Sequence, residues 1–370
     1  MLKARRQMHI AFYAPLKSPN HPVPSGDRQM AKLLVAALRL AGHEVDVVSE
    51  LRSFTPTPDA AERGKIVALA KREVERLLRQ WQHGAKPDLW FCYHPYYKAP
   101  DLIGTPITTA LRLPSVTAEA SYSKRRDDSG WAEMQSLVVD AIQQASVNIC
   151  FTKRDEIGLA SQVATARLAR MQPFIDASAF LKEPAANDRN RLITVAMMRH
   201  GDKLMSYRML AEALTLLGDR PFKLSIIGDG PAREAVQSMF AHFGEQVEWL
   251  GQKRAGEVVD ILYRGGTYIW PGTGEAYGLA YLEAQAAGLP VVAQNTAGVP
   301  EVVSDGVTGT LTEAGDTQAF ADAIATMMDF DEQRSAMGRA ARRFVVEERS
   351  LEIAARRLDT ILREYVADGG

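Results

Sequence analysis

The sequence predicts an α/β protein of two domains, each built on a mostly parallel sheet. Three observations lead there. Short apolar runs of strand character alternate with segments of helical period through most of the chain. That alternation breaks once, over residues 173–190 (PFIDASAFLKEPAANDRN), where periodicity gives way to Pro, Asp and Asn. And 370 residues exceed what one ordinary core accommodates. The expected domains are residues 1–172 and 173–346. A last helix over about 347–370 is expected to pack back on the first domain.

The elements follow in order. MHIAFYA is a short apolar strand, GDRQMAKLLVAALRLAG a helix and HEVDVVS the next strand, so the chain opens on a βαβ unit. In that helix Met30, Leu33, Leu34, Ala37, Leu38 and Ala41 recur at i, i+3, i+4 spacing, and Gly42 stops it. The connection before it holds Pro15, Pro19, Pro22 and Pro24 and is too long for a plain βα turn; loops of that length are usually functional. Residues 60–83 read as a helix that turns Lys71, Arg72, Arg76 and Arg79 to solvent. PDLWFCYH, LPSVTAE and VNICF are further buried strands. After the break, RLITVAMM, FKLSIIG, VEWLG, TYIWP and LPVVA are strands between helices, and the chain is helical from about residue 317. Ligands of such sheets bind at the carboxyl ends of the strands, so two facing domains would share a cleft.

Composition narrows the class. With 46% hydrophobic and 24% charged residues the chain is neither disordered nor membrane-spanning, and no run approaches the roughly 18 apolar residues of a span. The start, MLKARRQMHIAFYAP, reads as a first strand rather than a secretory leader. Cys92 and Cys150 lie in apolar runs, as buried thiols would in a reducing compartment. A cytoplasmic location is the expectation. The net charge of −1 conceals an asymmetry. Residues 1–172 hold 24 Lys and Arg against 17 Asp and Glu, and the remainder 20 against 28. A basic half suits anionic headgroups at the inner membrane surface or a charged acceptor, and equally suits nothing beyond a charge difference between domains.

The stretch TYIWPGTGEAYGLAYLEAQAAGLPVVA carries the chemistry. A strand ends near Trp270-Pro271, a glycine-bearing turn follows, and a helix starts near Gly278 and stops at Gly288. Free amides at such a start, with the helix dipole behind them, can hold a diphosphate, and Gly278 lets it come close. Glu275 precedes the helix and Glu283 lies eight positions on. Carboxylates accept hydrogen bonds from paired hydroxyls of a hexose or ribose.

GEAYGLAYLEAQAAGLPVVA resembles the E-x7-E motif of retaining glycosyltransferases of the GT-B fold, in particular glycosyltransferase family 4. LSIIGDGP, VEWLGQ and GVPEVVSDGVTGTL fall in matching order around it, so the likeness covers most of residues 190–345. In residues 1–172 it rests on SGDRQMAKLLVAALRLAGHEV. The resemblance implies a GT-B fold of two Rossmann-like, doubly wound domains facing a central cleft, with the acceptor on the N-terminal side. It implies a donor site in which Glu275 contacts the sugar and Glu283 the ribose. Tyr277, Gly278 and Leu279 would meet the donor through their backbones, with Gly228 in the preceding turn and Gly26 facing the phosphates from the first domain. Arg199 and Lys203 match the cations that neutralise the diphosphate, though the family interval is one residue longer. Where many members carry a histidine after the fourth strand this chain has Glu119, and His94 falls at an earlier strand end. Both are candidates beside the reacting groups. His94 is equally read as a structural residue, and Glu119 as a polar residue after a buried strand.

The implied activity is transfer of a sugar from a nucleotide-diphosphate sugar to a glycan, lipid-linked or small-molecule acceptor, with retention of configuration. No cofactor, metal or nucleic-acid partner is expected. A nucleotide-sugar epimerase and an NAD-dependent oxidoreductase are the alternatives; no G-x-G-x-x-G fingerprint opens the first helix. Asp329-Phe330-Asp331 matches a metal-holding D-x-D pattern but reads as a surface turn between helices, and Lys124-Arg125-Arg126 as a solvated loop.

Overall fold

The computed structural model describes residues 7–180, 182 and 188–367. The chain start (1–6), most of the 181–187 stretch of the expected linker and the last three residues lie outside the described residues. The chain divides into two compact units, Met1–Gln172 with Leu351–Gly370, and Pro173–Ser350.

The first unit holds six parallel strands. In chain order its elements are β1 (His9–Tyr13), α1 (Gly26–Leu40), β2 (Glu44–Val47), α2 (Ala60–His83), β3 (Leu89–Tyr93) and α3 (Gly104–Leu111). Then come β4 (Ser115–Ala118), α4 (Ala132–Gln144), β5 (Val147–Cys150), α5 (Lys153–Gln162) and β6 (Leu168–Arg170). The spatial order is β2-β1-β3-β4-β5-β6. The chain runs outward from β1 to β2, then returns to β3 on the other side, so the switch point lies between β1 and β3.

The second unit repeats the plan. Its elements are β7 (Arg191–Val195), α6 (Asp202–Thr215), β8 (Lys223–Ile227), α7 (Arg233–Met239), β9 (Val247–Gly251) and α8 (Ala255–Leu262). They continue with β10 (Thr267–Ile269), α9 (Leu279–Ala286), β11 (Val291–Gln294), β12 (Gly309–Thr312), α10 (Thr317–Asp329) and α11 (Asp331–Glu348). The order is β12-β11-β10-β7-β8-β9, all parallel, with the switch point between β7 and β10. Strands β6 and β12 escape the sequence reading because LAR and GTLT are short and carry little apolar signal.

The core strands have the composition of a sheet covered on both faces. LWFCY of β3 and VNIC of β5 are buried at every position, as parallel strands under helices on both sides require. Both cysteines are free and buried. The last helix, α12 (Leu351–Leu362), belongs to the first unit. It begins at Leu351 rather than at about 347, because α11 continues through Glu348. Ala354, Ala355, Leu358, Ile361 and Leu362 are its buried face, laid against α1. Asp359 sits 3.4 Å from Nε2 of buried His43 and 2.7 Å from the Arg363 guanidinium. The Met8 amide donates to His43 Nδ1, and burial holds the pKa of this imidazole below its ordinary value.

Leu358 is fully buried, so Leu358→Ala should cost about 2–5 kcal/mol. Urea midpoints read by tryptophan fluorescence, to which Trp81, Trp90 and Trp131 of this unit contribute, check it; an unchanged midpoint would show that the Leu358 side chain contributes nothing to stability.

Candidate functional site

The residues singled out in the second unit lie at the ends of strands beside its topological switch point, between β7 and β10. After β10 the chain runs through Trp270 and a tight turn to Glu275, whose amide donates to Gly272 O at 3.1 Å. The Glu275 carboxylate is held from two directions. Trp270 Nε1 donates to Oε1 at 2.9 Å, and Lys203, in the first turn of α6, pairs with the same oxygen. Lys203 Nζ also lies 5.5 Å above the Trp270 ring. The turn itself is tied to α6, since the Thr273 amide donates to Ser206 Oγ at 3.0 Å. One strand end and one helix start thus fix a single carboxylate.

Gly278 caps α9 with φ +80, and a Cβ there would press on the Tyr281 ring at 2.7 Å. Both facts demand glycine. A glycine cap brings no side chain to the helix start, and among the described residues the amides of Leu279 and Ala280 have no partner. Tyr277 and Leu279 are themselves buried, so what they can offer a ligand is backbone. Glu283 lies a turn further along. Its carboxylate has no hydrogen bond or ion pair among the described residues, and burial pushes it up to about 7.

Arg199 follows β7 on an exposed bend, its guanidinium also without a partner among the described residues. Gly228 has a steric reason of its own: a Cβ would overlap the carbonyl oxygen of Ala196, because the turns after β7 and β8 press together. The structure therefore joins Lys203 to Glu275, sets Gly278 beside the Glu275 carboxyl with Leu279 next in the chain, and puts Arg199 and Gly228 on the adjoining strand ends. Sequence reading does not single out Trp270; an aromatic residue closing a buried strand looks like core.

In the first unit, His94 and Glu119 end β3 and β4, both in the left-handed region at φ +57. For residues other than glycine that is uncommon and concentrates at functional positions. The Tyr93 hydroxyl donates to Glu119 at 2.9 Å, and His94 Nδ1 lies 3.2 Å from Asp27 in the first turn of α1. Burial acts to lower the His94 pKa, yet the carboxylates of Glu119 and Asp27 outweigh it and hold the imidazole at about 9. Burial raises the Glu119 carboxyl against the pull of His94 and Tyr93. Burial would raise Asp27 too, but His94 brings it below the ordinary carboxylate range. His94 is thus an imidazolium at neutral pH and no general base. Gly26 opens α1 beside this cluster behind the Ser25 cap, and a Cβ at Gly26 would meet nothing within 4 Å, so packing does not require glycine there. Asp27 goes unnoticed in sequence because an acid in a first helical turn is ordinary.

Among the described residues one group of three could hold a metal, His9, Glu44 and Asp46. It lies at the amino ends of β1 and β2, the edge opposite the strand ends just described. Asp329 and Asp331 pair with Arg220 and Arg334 in the turn between α10 and α11.

Residues 189–329 match the family model of the glycosyl transferases group 1. That span contains Arg199, Lys203, Gly228, Glu275, Gly278 and Glu283, and the match supports a place for the chain among the group 1 enzymes of GT-B type. D-inositol 3-phosphate glycosyltransferase of Corynebacterium glutamicum is 33% identical over 129 residues, 33% of this chain and 31% of that one. A GDP-mannose-dependent phosphatidylinositol monomannoside mannosyltransferase of Mycolicibacterium smegmatis is 31% identical over 202 residues, 50% of this chain and 53% of that one. The matched region thus spans from about a third to about half of the length of these curated relatives. In three dimensions the chain resembles sucrose-phosphate synthase of Thermosynechococcus elongatus, with TM-score 0.75, 18% identity and coverage of 98% of this chain and 100% of that one. It also resembles Anabaena HepE, solved in complex with UDP and glucose, with TM-score 0.70, 15% identity and coverage of 96% and 99%. At that identity the likeness is one of fold: two parallel-sheet, Rossmann-like units of the GT-B glycosyltransferases.

Both titrating groups make stability fall as pH rises, in successive windows. Glu283 is raised from 4.5 to about 7, so as pH climbs through that window the unfolded chain gains a charge the folded one resists, and stability falls. Glu283→Gln should remove that slope and leave the protein up to ~3 kcal/mol more stable at pH 8. Urea midpoints at pH 5 and 8 test this, and a slope that persists in the variant would rule Glu283 out as its source. His94 contributes stability that is complete below its ordinary 6.5 and lost as pH rises through about 9. His94→Gln should flatten the melting temperature across that range, and an unflattened profile would mean that the imidazole is not charged there.

Proposed function

We propose that this chain transfers a sugar from a nucleoside-diphosphate sugar to an acceptor hydroxyl, with retention of configuration and without a metal. What carries the reading is the pair of carboxylates around one glycine-capped helix start, Glu275 braced by Lys203 and Trp270, and Glu283 half-buried with no partner among the described residues. Diphosphate oxygens would accept from the amides at the start of α9 and from Arg199. The Glu283 carboxylate would accept from the ribose hydroxyls, and Glu275 from the sugar. As the bond from the sugar carbon to the diphosphate breaks, negative charge grows on the leaving oxygens, where Arg199, Lys203 and the α9 dipole stabilise it. The acceptor oxygen forms the new bond on the face the diphosphate leaves, and its proton passes to a diphosphate oxygen. His94, charged at neutral pH, serves by donating a hydrogen bond rather than by taking that proton. These cations supply the neutralisation that a metal ion supplies elsewhere, which is the ground for proposing metal independence.

The first unit would hold the acceptor, a glycan, a lipid-linked sugar or a small polyol. No helix among the described residues is long and apolar enough to cross a membrane. The exposed Lys71, Arg72, Arg76 and Arg79 of α2 are suited to a peripheral contact with an anionic membrane face.

Thermal shifts with UDP, GDP, ADP and NAD, each with and without EDTA, should show stabilisation by one nucleoside diphosphate that EDTA leaves intact. Stabilisation by NAD alone would turn the reading toward a dehydrogenase. With the donor so named, Glu275→Gln should lower turnover about 10²- to 10³-fold while nucleoside diphosphate binding stays near that of the parent. Turnover close to the parent's would remove Glu275 from the mechanism.

A further inference from the structure

In the first unit, the loop after β3 and the turn before α4 form a surface that the transfer chemistry leaves unused. Tyr96 and Tyr97 are half-buried, and Tyr96 and Ala99 exchange backbone hydrogen bonds of 3.2 and 2.8 Å that close the loop. The Tyr96 ring stacks on His94 at 5.2 Å and meets Tyr97 edge-on at 5.4 Å, which in turn meets buried Trp131 at 5.3 Å. A line of rings therefore leads away from the His94–Glu119 strand ends. At its far end the Arg126 guanidinium lies 4.7 Å over Tyr97, and Lys98 Nζ 5.8 Å over Trp131.

Lys124, Arg125 and Arg126 follow one another on a single 3-10 turn, and none has an acidic partner among the described residues. The neighbouring Asp127 is taken up by the Tyr122 hydroxyl and Gln135. Gln135 is 1% exposed and pins the turn from below, accepting from the Ser123 amide at 3.2 Å and donating to its carbonyl at 2.9 Å. The buried Arg126 Nε has no hydrogen-bond partner. Three cations are held together on this pinned turn; Asp127 and exposed Asp128 follow in the chain, but neither forms an ion pair with them among the described residues. By contrast, Arg76 and Arg79 on α2 have Glu73 and Glu75 beside them, and no ring lies under either.

We propose that this surface binds an acidic oligosaccharide. The tyrosine rings offer apolar faces for pyranose rings, and the turn takes the carboxylate or phosphate that the oligosaccharide carries. Resting on the transfer reading, this names the acceptor: a charged glycan whose reacting hydroxyl reaches His94 and Glu119 while its acidic group is read by Lys124, Arg125 and Arg126. The cluster at the strand ends, where the Asp27 carboxylate lies 3.2 Å from His94 and Glu119 ends the next strand, suits a neutral hydroxyl better than an anion. The two ends of the surface thus select different parts of one ligand.

Calorimetric titration with hexagalacturonate, and with maltohexaose as its neutral counterpart, tests this on the full chain. The acidic hexamer should bind at least about tenfold more tightly than the neutral one. Lys124→Gln with Arg125→Gln should lose about that factor, and so should Tyr97→Leu, while Arg72→Gln with Arg79→Gln on α2 leaves binding unchanged. All substituted side chains but Tyr97 are exposed, and melting temperatures confirm that each variant is folded. No binding of hexagalacturonate, equal losses from the α2 substitutions, or an effect of the turn substitutions confined to phosphatidylglycerol vesicles would each overturn the proposal. If hexagalacturonate binds as described but no nucleoside diphosphate stabilises the protein, the transfer reading fails and the glycan surface stands.

Discussion

The Glu275 carboxylate is the point on which the second unit's site depends. It hangs from Trp270 at the end of β10 and from Lys203 in the first turn of α6, on opposite sides of the topological switch. A carboxylate with one donor can swing; with two donors on separate elements it has one orientation. Around it the turn has little freedom, because Gly278 must adopt positive φ under Tyr281 and Thr273 is tied back to Ser206. The start of α9, with its unpartnered amides, and Glu283 follow directly from that turn in the chain. Lys203 therefore has two roles in the proposed chemistry, bracing Glu275 and standing beside the leaving charge.

The first unit uses charge differently. His94 and Glu119 turn out of adjacent strands through the same uncommon backbone region, and with Asp27 they form a cluster in which one imidazolium is shared among carboxylates. Each group alone would be costly to bury, and together they are tolerable. A histidine fixed in its charged state donates hydrogen bonds at every pH near neutrality. The resemblance to family 4 places a histidine at the end of the fourth strand; here that place belongs to Glu119, and the imidazole stands one strand over, coupled to it.

Much of the fold was legible in the sequence. Strand cores such as LWFCY, VNIC and KLSII announce themselves by unbroken apolar character, and α2 was readable to its ends from periodicity. What escaped lay at the margins: β6 and β12, too short and too mixed to stand out, and the point where α12 begins, hidden because α11 and α12 are almost continuous. Of the site, the E-x7-E stretch with its glycines was visible because local backbone geometry and residue type are written in adjacent letters.

The sequence by itself determined the two parallel-sheet domains and the glycine-capped helix start between two glutamates, since period, glycine placement and helix starts are local properties. Only the tertiary structure decided which of those residues act on one another. Lys203 and Glu275 are 72 positions apart, and His94 and Asp27 are 67 apart; no local pattern encodes such pairings. Burial is likewise a property of the assembled fold. Glu283 titrates near 7 and His94 near 9 because of what surrounds them, and a one-dimensional string of residues does not carry its own dielectric.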